Sequence, residues 1–161
     1  MKKTILIAVA CFVIGFAAAM AVAPSLQTKP AAPAAPVANA PVVEKPAISY
    51  LNASADQIEV TAPEPGAVIT SPLTFRGRAV GNWFFEASAP AQITDKDGRV
   101  LAEHFFLAQG DWMTTEKVPF EGTLAFEKPS GVTDGFLIIR NDNPSGLPEH
   151  EKSVRIPVRF E

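Results

Sequence analysis

Thiol and imidazole chemistry is scarce in this 161-residue chain, which holds one cysteine, two histidines, two tryptophans and one tyrosine. The cysteine, Cys11, lies inside an N-terminal apolar run. Residues 48–161 therefore offer no disulfide, no thiolate nucleophile and no cysteine-based zinc site. A domain of roughly 110 residues builds a sufficient core without a staple, so this lack does not fix the redox compartment. A basic excess is missing too. Before residue 48 only Glu44 is acidic, while Lys2, Lys3, Lys29 and Lys45 are basic, so the remainder carries 16 acidic against 10 basic side chains, a net charge of −6. Phosphate backbones are bound by basic faces, and no nucleic-acid partner is expected.

Catalytic groups are equally sparse. His104, in AEHFFLA, alternates with Phe106 on a strand face, and His150 lies in the polar loop PEHEK; two such distant histidines form no metal pattern. Asp95-Lys96-Asp97-Gly98 looks like part of a calcium loop, but Leu107 stands where a later bidentate Glu is needed. A hairpin turn accounts for the same residues. Glycoside hydrolysis by paired carboxylates requires a deep cleft that a domain this small has little room for. No enzyme activity, metal or cofactor is expected.

What is present begins with Lys2 and Lys3, followed by TILIAVACFVIGFAAAMAVA, Thr4 to Ala23, 20 residues without a charge. At about 1.5 Å per residue such a helix spans about 30 Å, the thickness of a bilayer core. Residues 1–23 are expected to be a membrane anchor through residues 4–23, with the lysines cytoplasmic and the C-terminal part outside. Two alternatives use the same residues: a signal peptide cleaved after Ala17-Ala18-Ala19 or Ala19-Met20-Ala21, releasing a secreted protein, and a lipoprotein signal ending at Cys11. All three place the remainder outside the cytoplasm. Residues 24–47, with prolines at 24, 30, 33, 36, 41 and 46, read as a disordered Pro/Ala-rich tether, because proline removes amide donors and fixes φ near −65°.

From residue 48 to 161 short runs rich in Val, Ile, Phe and Thr alternate with Pro, Gly and Asp. QIEVT, LTFRGRAV, NWFFEASAPAQIT, RVLAEHFFLA, KVPFEGTLAFE, DGFLIIRND and SVRIPVRFE predict an all-β fold, an antiparallel sandwich of about seven strands. PEPGAVITSP holds a further short edge segment between two turn signals. Asp97-Gly98 marks the clearest hairpin. Pro90, Pro119 and Pro157 inside strand-like runs predict edges or bends.

PEPGAVITSPLTFRGRAVGNWFFEASAPAQITDKDGRVL, GDWMTTEKVPFEGTLAF and RNDNPSGLPE occur in that order, and together they resemble the immunoglobulin-like domain associated with bacterial spore-germination proteins of the GerM type. The resemblance covers about residues 57–160. It implies an immunoglobulin-like sandwich on the bacterial cell envelope with a binding or adhesion role and no established chemistry. Between the apolar run and the sandwich this chain has only the tether and no GerM-type domain, so the resemblance does not carry over a role in germination.

The stretch GNWFFEAS poses a packing problem. If it continues a strand, Trp83 and Phe85 face one side and Phe84, Glu86 and Ser88 the other. Two loops can cover the second set: GDWMTTE, with Asp111, Trp112 and Met113, and NDNPSGLPE, with Asn141 and Asn143. A carboxylate beside rings is costly unless paired, so Glu86 is expected to meet backbone amides or Arg140. Asn82, Trp83, Phe85, Glu86, Asp111, Trp112, Met113, Asn141 and Asn143 thus form the candidate recognition or structural cluster. The expected function is a non-catalytic extracytoplasmic binding or adhesion domain tethered to the envelope, with an envelope protein as partner. The alternative is a glycan or peptidoglycan module that stacks sugars on exposed Trp83 or Trp112.

Overall fold

The structure, a computed structural model, describes residues 46–161. The anchor at 1–23 and nearly all of the tether at 24–47 lie outside the described residues, and so do the alternatives for cleavage or lipidation at Cys11. Among the described residues no helix is long and apolar enough to cross a membrane.

Among the described residues nine strands run β1 (Ser49–Leu51), β2 (Ile58–Ala62), β3 (Ala67–Ile69), β4 (Leu73–Val80), β5 (Ser88–Asp95), β6 (Val100–Ala108), β7 (Lys117–Leu124), β8 (Asp134–Arg140) and β9 (Ser153–Phe160), with one-turn 3-10 helices at Gly81–Trp83 and Pro148–His150. The expected strands are all present; β1 and β3, three residues each, bring the number above seven. The sheet order is β1-β9-β8-β5-β6-β7-β4-β2, antiparallel throughout, with β3 adding in parallel to β9. β6 and β7 share only the pairs Leu107↔Glu121 and Ala108↔Phe120. At that narrow junction the sheet curls, so that β2-β4-β7 and β1-β9-β8-β5-β6 enclose one core.

Alternation decides which residues enter it. β4 buries Leu73, Phe75, Gly77 and Ala79 and exposes Thr74, Arg76 and Arg78, as a period of two demands. β8 contributes Leu137 and Ile139, and β9 contributes Val154, Ile156, Val158 and Phe160. Phe75, Phe106 and Phe120 meet at centroid separations of 5.5, 6.4 and 4.8 Å with tilted or edge-on planes, the geometry that the ring quadrupole favours. Two glycines make room for these rings. Gly77 pairs with Phe120 and Gly122 with Phe75 across β4 and β7; a Cβ on Gly122 would stand 2.3 Å from the Phe75 ring, and one on Gly77 2.5 Å from the Phe120 ring.

The strand prolines sit at the ends of ladders, where Pro119 and Pro157 still accept from the Gln109 and Gly66 amides at 2.7 Å. β5 pairs with β8 only from Ala91 onward, so Pro90 lies beyond that ladder. Pro119 is next to β6 but outside its two-pair junction. Pro157 falls where the partner of β9 changes from β1 to β3. A residue without an amide donor fits such ladder ends. The β5–β6 turn is the expected one: Asp95 Oδ1 accepts from the Asp97 and Arg99 amides at 3.0 and 2.9 Å, and Gly98 takes φ +87°. Asp95 shapes a turn rather than a calcium loop.

Candidate functional site

GNWFFEAS does not continue β4. Gly81–Trp83 forms a 3-10 turn, and its tighter period breaks the expected alternation. Trp83 and Phe84 both enter the core, at 0% and 4% exposure, while Phe85 is 45% exposed. The expectation that Trp83 and Phe85 share a face is thereby corrected. Trp83 Nε1 donates to the Arg140 carbonyl at 2.9 Å, and its own carbonyl accepts from the Asp142 amide at 2.9 Å. Trp83 thus pins the turn to the end of β8 and offers no ring to a sugar. Phe84 packs edge-on against Phe106 at 5.9 Å.

After Phe84 the chain reverses in a two-residue turn. Phe85 and Ser88 exchange both backbone hydrogen bonds at 3.0 Å, and the residues between them, Glu86 and Ala87, have φ of +50° and +61°. Positive φ at both positions is the backbone of a type I′ turn, which normally selects Asn or Gly. Glu86 is exposed, and among the described residues it makes no salt bridge. Arg140, its expected partner, donates instead to Gln92 Oε1 and lies 4.0 Å from Glu151.

The two loops are held by their own polar side chains. In GDWMTTE, Asp111 Oδ1 accepts from the Met113 amide at 3.0 Å, and the loop backbone closes on Gly81, where a Cβ would lie 2.1 Å from the carbonyls of Trp112 and Thr114. Trp112 is half-buried and Met113 is 78% exposed. With Gly81, Asn82, Thr114 and Thr115 they line an open hollow of about 400 Å³. In NDNPSGLPE, Asn141 Nδ2 donates to the His150 carbonyl at 3.1 Å while its Oδ1 accepts from the Lys152 amide at 2.7 Å. Asn143 Nδ2 donates to the Leu147 carbonyl at 2.8 Å, and its Oδ1 accepts from Ser145 at 2.6 Å. Asp111, Asn141 and Asn143 therefore shape loops. Asn82, Phe85, Glu86, Asp111 and Met113 are exposed, and Trp112, Asn141 and Asn143 are half-buried. Among the described residues no three His, Cys, Asp or Glu side chains converge as a metal cluster would.

A different feature stands out on the outer face of the sheet. Phe85 pairs with Ser88, Ser88 with Leu107, Leu107 with Glu121, and Glu121 with Arg76. Directly paired residues share a face, so these five form one row. Phe105, two residues before Leu107 and opposite Pro90, belongs to the same face. Phe85, Leu107 and Phe105 are 45%, 58% and 59% exposed. The row ends in the Arg76–Glu121 ion pair at 2.7 Å. Phe105-Phe106-Leu107 held the signal in sequence: three consecutive apolar residues on a strand must leave some of them outside.

No curated protein and no solved structure matches the chain. A family model described as the immunoglobulin-like domain of bacterial spore germination matches residues 57–146, more than half of the chain, and the protein belongs to that family.

Proposed function

We propose that this protein is a non-catalytic, extracytoplasmic binding domain, held at the cell envelope by residues 1–23 through the tether 24–47, and that its ligand is another envelope protein. The observation that carries this is the exposed row of Phe85, Leu107 and Phe105 on one outer face. Large apolar side chains scattered singly need no explanation, but three on one outer face, with only Ser88 between Phe85 and Leu107 and an ion pair at the rim, fit a protein-docking surface. Membership of the immunoglobulin-like family supports a binding role.

A glycan is the less favoured ligand. Trp83 is sealed in the core, and the loop Asn side chains already spend their hydrogen bonds on backbone. Only Trp112 remains for stacking. Formaldehyde crosslinking of the full chain in its native cells tests the choice. Adducts are expected with the wild type and with Trp112→Ala, and lost with Phe105→Ser plus Leu107→Ser. The reverse pattern would move the protein contact to the loop hollow, and no protein adduct with the wild type would revive the glycan.

A further inference from the structure

The free side of β6 carries the inference. β5 covers one side of the strand from Val100 to Leu107, but on the other side β7 reaches only Leu107 and Ala108. Among the described residues no strand pairs with that side of Val100–Phe106. The backbone direction follows from two observations. Phe105 stands opposite Pro90, which has no amide to give, and its carbonyl accepts from His104 Nδ1 at 2.9 Å. The main-chain groups of Phe105 therefore face away from β5, and those of Glu103, two residues earlier, face the same way. Edge strands are usually guarded by Lys, Pro or short length. β6 is nine residues long and has no Lys, Arg or Pro. A register shift bends its start near Thr94, leaving Ala102–Phe106 regular.

We propose that β6 pairs antiparallel with β6 of a second copy about a two-fold axis at His104. The Phe105 carbonyl keeps a second lone pair beside its bond from His104, the other groups of this open edge are satisfied by water or by another strand, and this strand suits its own copy. With the axis perpendicular to the sheet, odd residues meet odd residues, so the outward-facing groups of Glu103 and Phe105 bond to Phe105 and Glu103 of the second copy. Centring on Glu103 instead would set two carboxylates directly opposite, which is unfavourable. Centring on His104 avoids that and sets small Ala102 opposite large Phe106. Beyond Phe106, β7 blocks further pairing, so the contact is five residues long, about 17 Å. Such an edge buries less than the roughly 1,200 Å² of a standard stable interface. The dimer is consequently weak in dilute solution and favoured where copies are crowded together. Pairing would join the two outer faces into one wider apolar surface.

Disulfide trapping of the full chain in detergent micelles tests this. In a Cys11→Ser background, His104→Cys should give a covalent dimer on mild oxidation, several-fold more than Thr123→Cys, which lies exposed on β7. His104 and Thr123 are both exposed, so both variants should keep the parental thermal midpoint, confirming that the comparison is between folded proteins. Equal trapping at 104 and 123 would overturn edge pairing. Stronger self-trapping by Glu103→Cys than by His104→Cys would overturn the register. Neither result depends on the outer face binding an envelope protein, because crosslinking here needs only the purified chain.

Discussion

Replacing Trp83 with Phe separates a structural pin from a recognition platform. Trp83 is 0% exposed, and its Nε1 bonds the Arg140 carbonyl at 2.9 Å. Phe keeps a ring but removes the donor, leaving a part-buried carbonyl short of a partner at a cost of about 1–3 kcal/mol. It also opens a void of roughly 40 Å³, which at about 24 cal/mol per Å³ adds about 1 kcal/mol. Together these come to about 2–4 kcal/mol. In a domain near 110 residues each kcal/mol lowers Tm by about 4–8 °C, so a fall of at least about 8 °C is expected. The assay is thermal and urea unfolding of the full chain, followed by far-UV circular dichroism, with Trp112 left as the fluorescent reporter of the loop. A loss under about 0.5 kcal/mol with unchanged cooperativity would refute the burial and hydrogen bond assigned to Trp83. Unchanged stability with lost partner binding would make Trp83 a contact residue after all.

Three further outcomes follow from particular contacts. Glu86→Asn with Ala87→Gly should stabilise the domain by about 1–2 kcal/mol in urea unfolding, because non-glycine residues at φ +50° and +61° carry left-handed strain; no gain would mean that the turn is unstrained. Gly122→Ala should cost about 2 kcal/mol or more, since its Cβ would stand 2.3 Å from the Phe75 ring and 2.6 Å from Phe106 Cβ; a neutral outcome in the same assay would show that the rings can shift. Tyr50, the only tyrosine, should titrate above its ordinary pKa of 10.0, first because partial burial disfavours the phenolate and second because of the Glu59 carboxylate. The folded state keeps that proton longer than the unfolded chain, so this contribution is present below pH 10 and is lost as pH rises through the raised value. Phenolate absorbance should show Glu59→Gln moving the midpoint down only in part; a full return to 10.0 would make the carboxylate the main cause.

The fold was legible where local pattern and packing agree. LTFRGRAV is β4 to the residue because its alternation needs no knowledge of partners. Asp95 to Gly98 likewise encodes its turn locally. GNWFFEAS misled because a 3-10 turn and a type I′ turn follow one another there, and neither bears the usual sequence mark: the left-handed positions hold Glu and Ala. What fixes them is distant, namely the Arg140 carbonyl on Trp83 and the loop carbonyls of Trp112 and Thr114 on Gly81. The roles of Asn141 and Asn143 were hidden for the same reason. Side chains suited to holding hydroxyls are equally suited to holding loop backbone, and only the fold shows which they do. The row of Phe85, Leu107 and Phe105 depends on the register of three chain segments, which no single stretch encodes.

Site-specific photo-crosslinking in the native envelope addresses the docking face most directly. A photoreactive phenylalanine analogue placed at 105 should yield a discrete adduct with another envelope protein, and one at 123, on the far half of the sheet, should not. Adducts from 123 but not from 105, or adducts only from Met113 at the loop hollow, would contradict docking through the outer face of β5 and β6.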